Sequence, residues 1–364
     1  MNYKETLFFI GKCLTINHEE KNKKIIEEKL KSSNIDWDSV VKVSTAHFVF
    51  PALYCNFKKA KFLIYLPEEL VNYMVHITDL NRERNLQIIK QAKEINALLL
   101  ANNITPIFLK GTGNLLEGLY DNIAERMVGD IDFLVSNKDF KKTIAILKND
   151  KYISKAEVYI DYHWHYPKMV KDQRIAAVEV HNKVLKKPYT KYLDYTTLKE
   201  NAIIINNCKV ASFENQFLIT ILQKQINDNL YHSKTITLRN VYDSFLISNK
   251  IILNKRHIKN STIIKYLNNY KRCCSELLNF PKSIQFTENE LSKKYLESYI
   301  KTIENSEIEL KKIKLINSFI TLKNKLKVLQ YSFTDKEYRT YTFRRLNSLN
   351  FYLKQLGFKP KPNA

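Results

Sequence analysis

The 364 residues predict an α+β fold, with a small mixed β-sheet core at 101–185 between an N-terminal helical region (1–100) and a C-terminal helical region with a basic tail (186–364). Three observations predict it. Both ends carry apolar residues at three-to-four spacing, the stripe of a one-sided helix. The middle instead holds short apolar runs that alternate or end at glycine, as strands do. Four of the six glycines, Gly111, Gly113, Gly118 and Gly129, fall in that middle stretch, so the chain concentrates its unusual backbone geometry there.

Composition bounds the class. A hydrophobic share of 45% with 12% aromatics excludes wholesale disorder. No window approaches the ~18 consecutive apolar residues of a membrane span. Leu7–Ile10 is too short an apolar run, before Lys12 and the charged 19–24 segment, to act as a signal peptide. The five cysteines are scattered and lack metal-type spacing, so reduced thiols in a cytoplasmic protein are expected. The formal charge of +22 attracts polyanions, although Lys- and Asn-rich composition bias accounts for part of it.

Taken in order, Pro67 to Leu100 reads as one long helix, with Pro67 and Glu68-Glu69 suited to its first turn. Asn102-Asn103 stops it. Ile104–Leu109 reads as a buried strand running into the Lys110-Gly111 turn, with Thr112 as N-cap of a short helix over 114–120. A polar loop, 121–129, leads to a strand at Asp130–Val135 and a covering helix at Asp139–Leu147. Further strands are expected at 152–162 and 174–184. Helices are expected at 214–229, 238–248, 263–280 and 289–330. Residues 310–364 hold thirteen Lys and Arg against two Asp and Glu, with Tyr338, Tyr341, Phe343, Phe351 and Tyr352 interleaved among basic residues.

The chemistry starts at Gly129-Asp130-Ile131-Asp132-Phe133. In a strand, Asp130 and Asp132 share one face while Ile131 and Phe133 point to the other. Two carboxylates one strand repeat apart repel unless a cation lies between them. Mg²⁺ answers that need with one or two carboxylates plus substrate phosphates, and a third carboxylate would admit a second ion. Ala177-Val178-Glu179-Val180-His181 supplies it, with Glu179 and His181 opposite the two valines; Glu157 and Asp161 are weaker candidates. Lys110, Gly111 and Thr112, at a strand-to-helix turn, suit a phosphate cradle. His163-Trp164-His165 with His181 invites a zinc site, but a further ligand at suitable spacing is not evident.

These motifs together, Leu109-Lys110-Gly111, Arg126 ahead of Gly129–Val135, and Val178-Glu179-Val180-His181, resemble the polymerase-β-type nucleotidyltransferases, and more narrowly a bacterial branch of uncharacterised nucleotidyltransferases. The resemblance spans roughly 100–185. It implies a nucleotidyltransferase-type core with Asp130, Asp132 and Glu179 as catalytic Mg²⁺ ligands for two ions. Lys110, Gly111, Thr112 and Arg126 would bind the nucleotide, and His181 would support the site or contact substrate. A Gly-Thr turn stands where the family commonly has Gly-Ser, and the stretch from Gly111 to Asp130 is longer than in compact members. The implied reaction moves a nucleoside monophosphate from a nucleoside triphosphate, such as ATP, to an acceptor hydroxyl. RNA, such as a tRNA end, is the favoured acceptor from the charge, and a toxin- or defence-like role fits the same chemistry. Adenylylation of a protein or small molecule, or nucleotide binding without turnover, are the alternatives.

Overall fold

The computed structural model describes residues 1–32, 34–154, 163–251, 259–304 and 306–346. Glu157 and Asp161, the outer part of the 152–162 strand, and Phe351 and Tyr352 of the tail lie outside them.

The N-terminal half packs α1 (Tyr3–Cys13), α2 (Glu20–Lys31), α3 (Trp37–Ala46) and α4 (Phe50–Ala60) beside the long α5 (Glu68–Leu100). The expected helix and α5 agree to one residue, with Pro67 as the residue preceding its first turn. Strand β1 (Ile107–Phe108), α6 (Lys110–Glu117), β2 (Asp130–Leu134), α7 (Phe140–Asn149), β3 (Ile153–Ser154), β4 (Met169–Val170) and β5 (Ala177–His181) follow. Helix α8 (Tyr195–Glu200) then precedes β6 (Ile203–Ile205) and β7 (Cys208–Val210). Next come α9 (Phe213–Leu222), a π-helical turn at Gln223–Asn227, α10 (Leu230–Ser233) and α11 (Leu238–Ser248). The described chain closes with α12 (Ser261–Leu277), α13 (Glu290–Glu304), α14 (Ser306–Thr334) and α15 (Lys336–Leu346).

The fold is α+β. Its mixed seven-stranded sheet has the order β3-β4-β5-β2-β1-β7-β6. Two of those strands correct the sequence reading, which took the chain after Lys186 as mostly helical and expected no strand there. The run Ile203-Ile204-Ile205 turns through Asn206-Asn207, both with positive φ, into Cys208–Val210. An Asn-Asn pair between two apolar runs is a hairpin signal, because asparagine tolerates the left-handed region that a tight turn demands. β7 then lies parallel to β1, so the C-terminal half completes the sheet.

Alternation sorts the sheet into two faces. Phe108, Ile131, Phe133, Val178, Val180 and Val210 join one buried cluster with α4 and α5 residues such as Phe57, Ile88 and Leu99. Ile107, Leu109 and Leu134 join a second with Ile219, Leu222 and Ile263 of α9 and α12. The alternation expected for β2 and β5 is therefore present, and Asp130, Asp132 and Glu179 lie on the face turned towards the C-terminal helices.

A polar ladder along α5 fixes the site's backbone. Asn81 and Asn85, one turn apart, donate to the carbonyls of Ala124, Ile123 and Arg126, holding the 121–129 loop. Gln91 donates to the Ala176 carbonyl and accepts from its N–H, anchoring the start of β5. Buried amides bonded in this way define one arrangement of the loop.

Candidate active site

β2 and β5 run parallel with Asp132 opposite Glu179, and the same register places Asp130 and His181 on the same face. Oxygens of Asp132 and Glu179 and a ring nitrogen of His181 lie within 4.8 Å of one another, all three residues buried, a group that could hold a metal ion. Asp130 stands at the edge of this trio, its side chain 28% exposed against 10% for Asp132 and 11% for Glu179.

Two lysines act as counterions. Lys110 Nζ lies 2.6 Å from Asp132 Oδ1 and 3.8 Å from Glu179 Oε2. Lys168 Nζ lies 2.7 Å from Asp130 Oδ2 and 3.5 Å from Glu179 Oε1. Burial pushes the Glu179 carboxyl up, but His181 at 3.6 Å and the Lys110 and His165 charges outweigh it and hold Glu179 well below the ordinary carboxylate range. Burial alone would lower the Lys110 and Lys168 ammoniums; the carboxylates they face raise both instead.

His181 is fully buried, and its Nε2 lies 2.9 Å from Asp132 Oδ1. A carboxylate only accepts, so Nε2 carries the proton in this contact. The other nitrogen, Nδ1, is buried with no hydrogen-bond partner among the described residues. The His165 ring packs against it with centroids 5.1 Å apart, and His165 is lowered by burial and by His181. His163 and His165 therefore do not join His181 in the metal-type group among the described residues.

The Lys-Gly turn differs from the expected geometry. Helix α6 begins at Lys110, with Leu109 rather than Thr112 at the N-cap. Thr112 is buried inside α6, and its hydroxyl donates to the Asp130 carbonyl at 3.0 Å, tying the helix to β2. The left-handed backbone falls on Lys110 itself, at φ 53°, a conformation a residue with Cβ adopts at a cost. Its N–H is held by Gln216 Oε1 at 2.9 Å. Gly113 serves close packing instead: a Cβ there would lie 2.3 Å from Gln216 Nε2 and 2.9 Å from the Phe108 carbonyl oxygen. Gly111 is likewise buried, with Val128 and Arg126 against it.

Arg126 is not paired with Asp121 or Glu125. Its Nε donates to both oxygens of Asp243 on α11, at 3.0 and 2.9 Å, and Tyr120 donates to the same carboxylate at 2.8 Å. Arg239, one turn before Asp243, donates to the Met127 carbonyl at 3.2 Å and lies over the Phe48 ring, and its buried Nε has no hydrogen-bond partner among the described residues. Burial and the neighbouring Arg126 lower Arg239 to about 10. Two guanidiniums thus share one carboxylate.

A cavity of about 260 Å³ joins these groups. Its sheet wall carries Lys110, Arg126, Asp130, Asp132, Glu179 and His165; its helical wall carries Gln223, Asn227, Arg239 and Asn240. Gly111 and Thr112 do not line it. The π-helical turn contributes two of the helical-wall residues, with Gln223 and Asn227 both donating to the Val184 carbonyl. Lys168, Arg239 and Asp243 escaped the sequence reading. The one available signal was the pair Arg239 and Asp243 at i,i+4 on an otherwise uncharged helix.

Among the described residues, no helix is long and apolar enough to cross a membrane. Neither curated proteins nor solved structures gave a match to the chain. A family model described as uncharacterised nucleotidyltransferase matches residues 33–278, from α3 through the whole sheet to α12, and the chain belongs to that family.

Proposed function

We propose that this protein is a Mg²⁺-dependent nucleotidyltransferase of the polymerase-β type that moves a nucleoside monophosphate from a nucleoside triphosphate to an acceptor hydroxyl on RNA. The observation that carries the reading is the β2–β5 register, which sets three carboxylates on one face beside a cavity lined by two lysines and two arginines.

The donor set fits the ion. Asp132 and Glu179 supply the oxygens Mg²⁺ requires, Asp130 adds a third carboxylate, and the Lys110 and Lys168 ammoniums now hold those charges in place. A metal ion held by these oxygens would offset charge on the α-phosphate under attack and would lower the proton affinity of the attacking oxygen. Lys110, Arg126 and Arg239 face the same cavity and would bind the triphosphate. The depressed proton affinity of Glu179 suits a ligand better than a general base. Asp130, the most exposed of the three, would take the acceptor proton. The acceptor oxygen bonds to the α-phosphorus, the α–β phosphoanhydride bond breaks, and pyrophosphate leaves.

The test is labelling of cellular RNA with each of four α-labelled nucleoside triphosphates, by wild type and by an Asp130→Asn/Asp132→Asn variant of unchanged circular dichroism. Label on RNA with wild type and none with the variant is expected. Full Mg²⁺-dependent transfer by the variant overturns the assignment.

A further inference from the structure

Helix α14 leaves most of its surface in solvent. It packs on α10 and α13, and over residues 311–334 its half-buried or buried residues are Ile313, Ile320, Asn324, Val328 and Ser332. A second set points elsewhere. Leu315, Phe319, Leu322, Leu326, Leu329 and Phe333 are each between 44% and 76% exposed. They follow one another at steps of four and three residues, which at 3.6 residues per turn confines them to an arc of about 80°. The buried set is centred about 180° away, so this stripe faces directly off the body of the protein.

A single exposed leucine is ordinary, but six apolar side chains in one unbroken line are not. A strict heptad stripe is narrower than the face a helix lays on a globular core, and it is the seam of a coiled coil. Leucine occupies all three d positions, 315, 322 and 329; Phe319, Leu326 and Phe333 occupy the a positions. Together they expose on the order of 800 Å² of mostly apolar surface, the share one partner brings to a standard-size interface.

We propose that α14 is a dimerisation helix whose seam pairs with the same seam of a second copy of this chain, the two helices running parallel and in register. The seam is self-complementary about a two-fold axis, and it leaves the two bodies on opposite sides of the helix pair. Charge sets the direction. Antiparallel pairing of all six residues would bring the two copies' Lys323 side chains against each other, whereas parallel pairing sets each beside Ser318. A lipid surface would reward a broad apolar arc edged by cations, but Ile316, Ser318, Gln330 and Ser332 occupy four of the six flanking positions. The body-facing side of α14 also brings Asn324 and Tyr331 to a pocket that shares Trp164 with the catalytic cavity, so pairing would fix this helix beside the site in both copies. The inference stands independently of the nucleotidyltransferase reading.

The test is sedimentation velocity of the full chain across the micromolar range. Wild type should sediment at twice the chain mass. Leu322 and Leu326 are both more than half exposed, so Leu322→Lys/Leu326→Lys spares the core. That variant should sediment as a monomer with unchanged circular dichroism, its dissociation constant raised at least about tenfold. Ile64→Lys/Leu80→Lys, the same exchange at exposed positions on the N-terminal helical region, should remain dimeric. Leu329→Cys reads the direction: parallel helices bring its two thiols face to face, and mild oxidation should link the chains. Antiparallel helices would hold those thiols about 15 Å apart, beyond reach of a disulfide. A monomeric wild type overturns the proposal and leaves residues 347–364, an anionic lipid surface or a foreign helix as the seam's occupant. A dimer that survives Leu322→Lys/Leu326→Lys, or that is lost equally in the control, overturns it as well. A dimer without the Leu329→Cys link overturns the parallel register.

Discussion

Replacing Asp243 by asparagine removes one negative charge from a place where it holds two positive ones. The Asp243 side chain is 3% exposed and that of Arg126 is 9% exposed. Arg126 Nε contacts both carboxylate oxygens at 2.9–3.0 Å, and Tyr120 adds a third bond. Asparagine keeps the shape and one acceptor oxygen, but it leaves Arg126 charged, dry and next to Arg239. Breaking a buried ion pair from one side typically costs about 3–5 kcal/mol, and the retained acceptor places this case near 3. Chemical denaturation followed by the fluorescence of Trp37 and Trp164 would read it. The double replacement Arg126→Met/Asp243→Leu removes both charges of the pair and should recover most of the single variant's loss, the remainder being the attraction to Asp243 that Arg239 forgoes. Pyrophosphate adds a second reading: a ligand at one hundred times its Kd stabilises by about 2.7 kcal/mol. If the guanidiniums face a phosphate seat, pyrophosphate should stabilise Asp243→Asn more than wild type. A cost below about 1 kcal/mol for the single variant, or a double variant as unstable as the single, would refute the reasoning.

Two further predictions concern the frame of the site. Gly113→Ala drives a methyl group into Gln216 and the Phe108 carbonyl, and overpacking of about 3 kcal/mol less about 1 for helix propensity gives a net loss near 2. Unchanged stability of that variant would show that α6 does not depend on this close approach. Glu117, whose carboxylate oxygens are buried with no hydrogen-bond partner among the described residues, is raised by burial to about 8. A raised acid favours the folded state in its neutral form, so its contribution is intact below about 4.5 and is lost as pH climbs towards 8. Glu117→Gln should therefore match wild type near pH 4.5 and exceed it by about 2 kcal/mol at pH 8.5, after discounting for partial exposure. Parallel pH profiles for the two proteins would count against a buried carboxyl there.

The carboxylate face was legible because it depends on local rules. Alternation put Asp130 and Asp132 together, and an acid within a β-branched strand marked Glu179. The helix over Leu238–Ser248 also matched its apolar spacing residue for residue. What escaped the sequence was set by distant packing. Arg126 finds its partner at Asp243, 117 residues away, and Lys168 closes on Asp130 from a loop 38 residues on. No spacing rule reaches so far. The glycine cluster was a sound pointer with a partly different cause: the strained backbone belongs to Lys110, while Gly113 makes room for Gln216. The β6–β7 hairpin was overlooked although Asn206-Asn207 signalled it, because its strands have only three residues each.

The central claim is that the acid face and the basic cavity wall together perform nucleotidyl rather than phosphoryl transfer. Its most direct measurement places α-labelled and γ-labelled ATP side by side with protein, Mg²⁺ and RNA. The account predicts that the α label enters the RNA while the γ label leaves as pyrophosphate. Entry of the γ label with release of nucleoside diphosphate would contradict it.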